Sequence, residues 1–189
     1  MARSAKRKET IKLPSKTIEE CVSRIENETI RKFTAKALRQ APKYFWIASS
    51  SSSGKHHPSD EHGIGGLVLH TVRVFNIAEV FLDSLDNGSI RHDVVKSAAL
   101  LHDLYRYGTE NVAEETTNKK HPELAGTVLK KVDIQFIYKS EIIRCVERHM
   151  GKWGEVLPNT VEEWVVHFSD AVAAKYYLPR RLNDDQIPR

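Results

Sequence analysis

Residues 97–106 read Ser97-Ala98-Ala99-Leu100-Leu101-His102-Asp103-Leu104-Tyr105-Arg106. An apolar helical run ends here in an adjacent histidine and aspartate, and an arginine follows three positions after the aspartate. Neighbouring residues of an α-helix point about 100° apart, so the histidine and aspartate flank one edge of the predicted helix. Both side chains could therefore reach a single cation. The pair also lies directly on an apolar stripe, where an unpartnered carboxylate would be costly to bury.

Four other ionisable residues occupy equally apolar positions. His70 and His149 fall on the inward-facing stripes of two predicted helices, and His121 stands just before a third. Asp170 lies within residues 160–177, a segment that is apolar nearly all round and is therefore expected to be central. An ionised carboxylate among valine, phenylalanine and alanine needs a compensating cation.

Six candidate metal ligands from five helices are thus expected to converge: His70, His102, Asp103, His121, His149 and Asp170. Imidazole and carboxylate ligands without thiolates suit iron, manganese, nickel, cobalt or zinc better than calcium. Six ligands exceed what one open catalytic site requires, and a carboxylate such as Asp103 can bridge two ions, so a site for two divalent metals is predicted. For any one of these histidines taken alone, a hydrogen-bonded core position is the alternative.

The composition excludes several classes of protein. At 189 residues, with 40% hydrophobic and 29% charged residues, the chain matches one soluble globular domain. No apolar run approaches the length of a membrane span and no apolar signal segment is visible, which predicts a cytoplasmic protein without membrane contact. Cys21 and Cys145 form no CxxC pair, so a disulfide framework and thiolate metal ligands are disfavoured.

The formal charge of +4 is concentrated at one end. Residues 1–16 carry six basic residues and one acidic residue, whereas the remainder is close to neutral. We expect 1–16 to be a flexible basic arm and 17–189 to form one domain. The arm could contact nucleic acid, but the domain itself offers no electrostatic basis for a duplex-binding face.

Hydrophobic periodicity and turn residues predict an all-α helical bundle. A first helix is predicted from Thr17 to about Ala41, a second from Gly65-Gly66, and a third that carries His102 and Asp103 and ends at Gly108. Further helices begin near 119–121, near Ser140 and at Thr160, the last running to Tyr177. No strand is predicted with a partner to pair with.

The order His70, His102-Asp103, His121, His149 and Asp170 resembles the HD-domain superfamily of metal-dependent phosphohydrolases, in the form that usually holds two metals. The resemblance covers about 55–177. The segments 52–58 and 65–71 are similar to a subgroup of small HD proteins, and the Gly-Gly-Leu…His-Thr part is similar to the HD domain of certain 3′–5′ exoribonucleases. Arg106 stands where the superfamily often has lysine. Arginine keeps the charge and binds phosphate well, but it cannot act as a general acid.

The resemblance implies hydrolysis of a phosphate ester by a metal-activated hydroxide. The implied substrate is a small nucleotide, a cyclic nucleotide or another small phosphodiester. Asp103, Arg106 and Lys55 are the candidate catalytic residues, and Lys55, His56, His57 and Arg106 are the candidate substrate-binding residues. The serine-rich loop before His70 is expected to fold over the metal edge, bringing Lys55 to the phosphate.

Three alternatives remain open at this point. A nuclease acting on short RNA ends would use the same site with the basic arm as an anchor. A di-iron oxygenase of the same superfamily would need redox-active iron. A ligand-binding module without activity is the weakest of the three, since no ligand of the pattern is missing. The sequence does not identify the substrate, the native metal or the oligomeric state.

Overall fold

The computed structural model describes residues 13, 15–51, 56–85, 88–111, 113 and 116–174. Within these ranges the chain forms seven α-helices, three short 3₁₀ turns and no β-strand. The helices are α1 (Lys16–Ser23), α2 (Glu28–Arg39), α3 (Gly66–Leu85), α4 (His92–Leu101), α5 (His121–Lys131), α6 (Lys139–Arg148) and α7 (Val161–Ala174). The predicted all-α class is confirmed.

Helix α4 lies at the centre of the bundle. It packs against α2, α3, α6 and α7, while α3 also packs against α7 and α5 packs against α6. Its apolar residues are buried on every side, including Val95, Ala99 and Leu101. A helix that is apolar all round must be enclosed by others. This packing places the C-terminal end of α4, and with it His102 and Asp103, in the interior.

The predicted N-terminal helix over 17–41 is wrong in one respect, because two helices occupy this region. The break is held by a residue far away in sequence: the carboxylate of Asp93 accepts the backbone N–H groups of Glu26 and Asn27 at 3.1 and 2.6 Å. The side chain of Asn27 in turn caps α2. Helix α1 begins one residue earlier than predicted and is capped by Ser15.

The helix carrying His102 and Asp103 ends at Leu101 rather than at Gly108. Beyond Leu101 the hydroxyl of Tyr44 takes the place of helical backbone hydrogen bonds. It donates to Gly108 O at 2.6 Å and accepts the N–H of Tyr107 at 3.1 Å. Residues 102–107 instead form successive tight turns, which end at Gly108 with φ +90°. These turns bring Arg106 back to within contact of Asp103.

Parts of several predictions lie outside the described residues. They include most of the predicted basic arm, Lys55, and the predicted end of the last helix at 175–177. Lys16, assigned to the arm by its charge, already belongs to α1. Among the described residues, no helix is both long enough and apolar enough to cross a membrane.

Candidate metal centre

The structure brings all six predicted ligands together. His70 comes from α3, His102 and Asp103 follow α4, His121 opens α5, His149 follows α6 and Asp170 lies in α7. The four histidines and Asp103 are at most 1% exposed. The six residues form two groups, and within each group the candidate ligand atoms lie within 4.8 Å of one another. One group is His70, His102 and Asp170, and the other is Asp103, His121 and His149.

Three of the histidines are held in one tautomer by backbone carbonyls. In His102, His121 and His149 the Nδ1 atom lies within hydrogen-bond distance of a carbonyl oxygen three residues earlier in the chain. The acceptors are Ala99, Asn118 and Val146, at 2.8, 2.8 and 2.7 Å. A carbonyl can only accept, so Nδ1 carries the proton and Nε2 of each neutral ring carries a lone pair. Three imidazoles therefore present lone pairs to the same interior space.

Those lone pairs meet other acceptors rather than donors. The Nε2 atoms of His121 and His149 lie 3.1 Å apart. Asp103 Oδ1 lies 3.1 Å from the former and 3.6 Å from the latter. Among the described residues, the buried His102 Nε2 and Asp103 Oδ1 have no hydrogen-bond partner. Buried acceptors without donors are costly, and a cation between them removes the cost. The residues present therefore fit a divalent metal.

Asp103 stands between the two groups. While Oδ1 faces His121 and His149, Oδ2 lies 3.5 Å from His102 Nε2 and 3.7 Å from His70 Nε2. One carboxylate thus offers one oxygen to each group, which is the geometry of a bridging ligand.

The electrostatics keep both carboxyl groups ionised. Burial alone would raise the pKa of Asp103, but Arg106 and His102 outweigh burial and hold the pKa well below its usual range. Burial likewise opposes ionisation of Asp170, yet the contact with His70 and the nearby His102 lower its pKa. The pKa of His149 is lowered, chiefly by burial, so this ring is neutral and able to ligate near neutral pH.

Two predicted substrate-binding residues meet at the edge of this centre. Arg106 contacts Asp103 Oδ2 through Nη1, and its Nη2 lies 3.1 Å from His57 Nε2. Arginine can only donate, so His57 Nε2 accepts and the ring proton lies on Nδ1, 2.9 Å from Glu61 Oε2. Burial, with His70 and Arg106 nearby, lowers the pKa of His57 to about 3, which keeps the ring neutral.

His56 and Lys55 complete the predicted substrate-binding set. His56 is exposed, and Lys55 lies outside the described residues. Sequence reasoning also missed Glu61, which forms a third group with His57 and His70. Asp60-Glu61 reads as an ordinary polar turn, and only the spacing of four residues from His57 hints that Glu61 is buried.

Comparison with known proteins places these residues in a family. The family model of the HD domain matches residues 67–175, and the chain belongs to the HD domain family. The predicted resemblance is therefore confirmed.

A curated relative is a dihydroneopterin 2′,3′-cyclic phosphate phosphodiesterase from Methanocaldococcus jannaschii, 31% identical over 121 residues. The aligned region covers 59% of this chain and 47% of the relative, so the chain spans about half the length of that protein. No solved structure matches the chain.

Proposed function

We propose that this protein is a metal-dependent phosphodiesterase that hydrolyses a small phosphodiester, with a cyclic phosphate of a nucleotide-like compound as the first substrate class to test. The observation that carries the proposal is Asp103, whose two oxygens face two separate imidazole groups beside the guanidinium of Arg106. The curated relative supports the choice of a cyclic phosphodiester, since its name describes that bond.

In this proposal the six predicted residues hold two divalent ions. His70, His102, Asp170 and Asp103 Oδ2 would bind one ion, and Asp103 Oδ1, His121 and His149 would bind the other. The donor set suits iron, manganese, nickel, cobalt or zinc. Bound ions of this kind lower the pKa of water and neutralise charge on phosphoryl oxygens.

The hydrolysis adds one water across one P–O ester bond, so that the water oxygen stays on phosphorus and the leaving oxygen takes a proton. Arg106 is proposed to bind a phosphoryl oxygen, because its charged N–H groups lie beside the bridging carboxylate and its side chain is 13% exposed. Its raised pKa, in which the charge of Asp103 outweighs burial, excludes it as the proton donor. Lys55 and His56 remain proposed substrate-binding residues of the loop that precedes α3, whereas the buried His57 would act on the substrate through its contact with Arg106.

The alternative predictions are not favoured. A relative named for a small cyclic phosphodiester favours hydrolysis over oxygenation and a small substrate over RNA. The test is a substrate panel with protein loaded separately with each candidate metal. The panel contains 2′,3′- and 3′,5′-cyclic nucleotides, a linear aryl phosphodiester, an aryl phosphomonoester and a short RNA.

We expect turnover of at least one small diester, and loss of that turnover in Asp170→Asn. Cleavage of RNA without turnover of any small diester would contradict the proposal and support the alternative function of a nuclease. Consumption of oxygen by the iron-loaded protein, with no ester cleavage, would replace it by the oxygenase.

A further inference from the structure

Glu61 is a fully buried carboxylate at the end of a 3₁₀ turn (Ser59–Glu61) that precedes α3. Its Oε2 atom lies 2.9 Å from His57 Nδ1 and 3.3 Å from His70 Nδ1. The hydroxyl of Ser50 donates to the same oxygen at 3.1 Å, and Arg73 forms an ion pair with Oε1. The carboxylate of Glu61 thus contacts both His70, a candidate metal ligand, and His57, which contacts Arg106.

The local backbone is built around Glu61. The backbone N–H of Ser50 donates to Glu61 O at 3.1 Å, which ties the loop before the turn to it. Gly66, the first residue of α3, lies so close that an added Cβ would stand 1.8 Å from Glu61 O. No larger residue fits there without moving this backbone. The position of Glu61 is therefore fixed independently of its side chain.

Glu61, His57 and His70 have the spacing of a metal site, but the proton positions exclude that interpretation. The guanidinium of Arg106 faces His57 Nε2, so that atom accepts and Nδ1 is protonated. A protonated Nδ1 cannot ligate a cation, and it points at Glu61. The group is therefore joined by hydrogen bonds.

The contact with His70 follows the same logic. Each nitrogen of His70 faces a carboxylate, Nδ1 that of Glu61 at 3.3 Å and Nε2 that of Asp170 at 3.1 Å. A metal ion held at Nε2 needs the lone pair of that nitrogen, so in the metal-loaded protein the proton belongs on Nδ1, facing Glu61. Within the described residues this nitrogen has no aligned hydrogen bond. At 3.3 Å, a small rotation of the ring completes one to Glu61. His70 Nε2 then faces Asp170 and Asp103 as an acceptor, as in the other three histidines.

We propose that Glu61 is a positioning residue that holds His70 as a metal ligand through one contact and Arg106, by way of His57, through another. The inference rests on the proposed metal site. Polar contacts then run from Asp103 to Arg106, His57, Glu61 and His70, and His70 Nε2 in turn faces Asp103 Oδ2 at 3.7 Å. A carboxylate that accepts the second N–H of a ligating imidazole fixes its tautomer and raises its basicity.

The first test reads the tautomers directly in the intact protein. In the zinc-loaded protein labelled with ¹⁵N-histidine, we expect both His57 and His70 to carry the proton on Nδ1. Each signal is assigned by its loss in a single variant. A proton on Nε2 of either ring would overturn the proposal, and this measurement depends on no Glu61 variant.

The second test compares Glu61→Gln with Asp60→Asn by titration with zinc against a chromophoric chelator. Glutamine keeps the shape of Glu61 but lacks its charge and turns an amide NH₂ towards either Arg73 or the imidazoles. Asp60 is exposed and pairs with the same Arg73, so its variant disturbs the ion pair without touching the histidines. We expect Glu61→Gln to weaken binding of one ion by about 10- to 100-fold and Asp60→Asn to leave it unchanged.

Circular dichroism of the metal-free proteins checks that the variants fold, and Glu61→Asp, which restores the charge, should recover part of the affinity. Equal zinc affinity in the wild type and a folded Glu61→Gln would overturn the proposal. If Glu61→Gln does not fold, the tautomer measurement decides. A wild type that binds no metal would contradict the proposed function instead, so the two failures are distinguishable.

Discussion

The Nε2 atoms of His121 and His149 face one another at 3.1 Å, although the two residues come from different helices. Both rings have Nδ1 bound to a backbone carbonyl, so both facing atoms carry lone pairs. This contact is repulsive without a positive charge between the rings. Metal occupancy should therefore be coupled to stability.

The first prediction is that divalent metal raises the melting temperature. A ligand that binds only the folded state stabilises it by about 2.7 kcal/mol at 100 times its dissociation constant. We expect zinc or manganese to raise Tm relative to chelator-treated protein, measured by calorimetry. Calcium is the control, because imidazole nitrogens suit it poorly. Equal Tm values with zinc and with chelator would contradict the coupling.

Arg106 should matter for turnover more than for metal binding. Replacing it with glutamine removes a charged donor from the phosphate. We expect kcat/KM to fall by an amount that corresponds to a loss of about 1.5–3 kcal/mol of transition-state stabilisation. Arg106→Lys, which keeps the charge, should lose less. Metal content is measured in the same preparations. The exposed Arg39 on α2 supplies the control variant Arg39→Gln. Unchanged kinetics in Arg106→Gln would show that this guanidinium does not bind the phosphate.

Lys55 is assigned to the phosphate by sequence alone. Lys55→Ala should lower kcat/KM by an amount that corresponds to about 1–3 kcal/mol of lost transition-state stabilisation, the scale of a lost charged hydrogen bond. The metal stoichiometry should stay unchanged. The comparison is made on one protein batch. A variant with wild-type kinetics would make the 52–55 segment a connector without a role in catalysis.

Neither thiol should take part in the chemistry. Burial raises the pKa of Cys21 to about 11 and also raises that of Cys145, so both are neutral thiols at pH 8. We expect Ellman's reagent to label neither residue in the folded protein and both after unfolding in guanidinium. Rapid labelling of the folded protein that metal suppresses would contradict this, because it would indicate a thiolate ligand.

Five of the six predicted ligands, all except His121, could be predicted from the sequence because each is a polar residue where helical periodicity requires an apolar one. His70 and His149 replace core residues on inward stripes, and Asp170 lies among apolar neighbours in α7. Burying such groups is tolerated only with a partner, so the pattern indicates the site without knowledge of the fold.

Other features depend on distant contacts and leave no periodic trace. The break between α1 and α2 is held by Asp93 of α4, and the turns after Leu101 are held by Tyr44. Glu61 lies in a polar turn, where the sequence offers no apolar stripe to show that its side chain is buried. Its role appears only when α3 brings His70 beside it.

The most direct test of the account measures metal stoichiometry and small-diester hydrolysis together in the wild type, Asp103→Asn and Asp170→Asn. Asp133→Asn, at an exposed aspartate, is the control. The account predicts two ions per chain in the wild type and in the control. Asp170→Asn should lose the ion of the His70 group, and Asp103→Asn should lose both high-affinity binding and turnover, since the two oxygens of Asp103 face both groups. An Asp103→Asn protein that kept full metal content and activity would contradict the central claim.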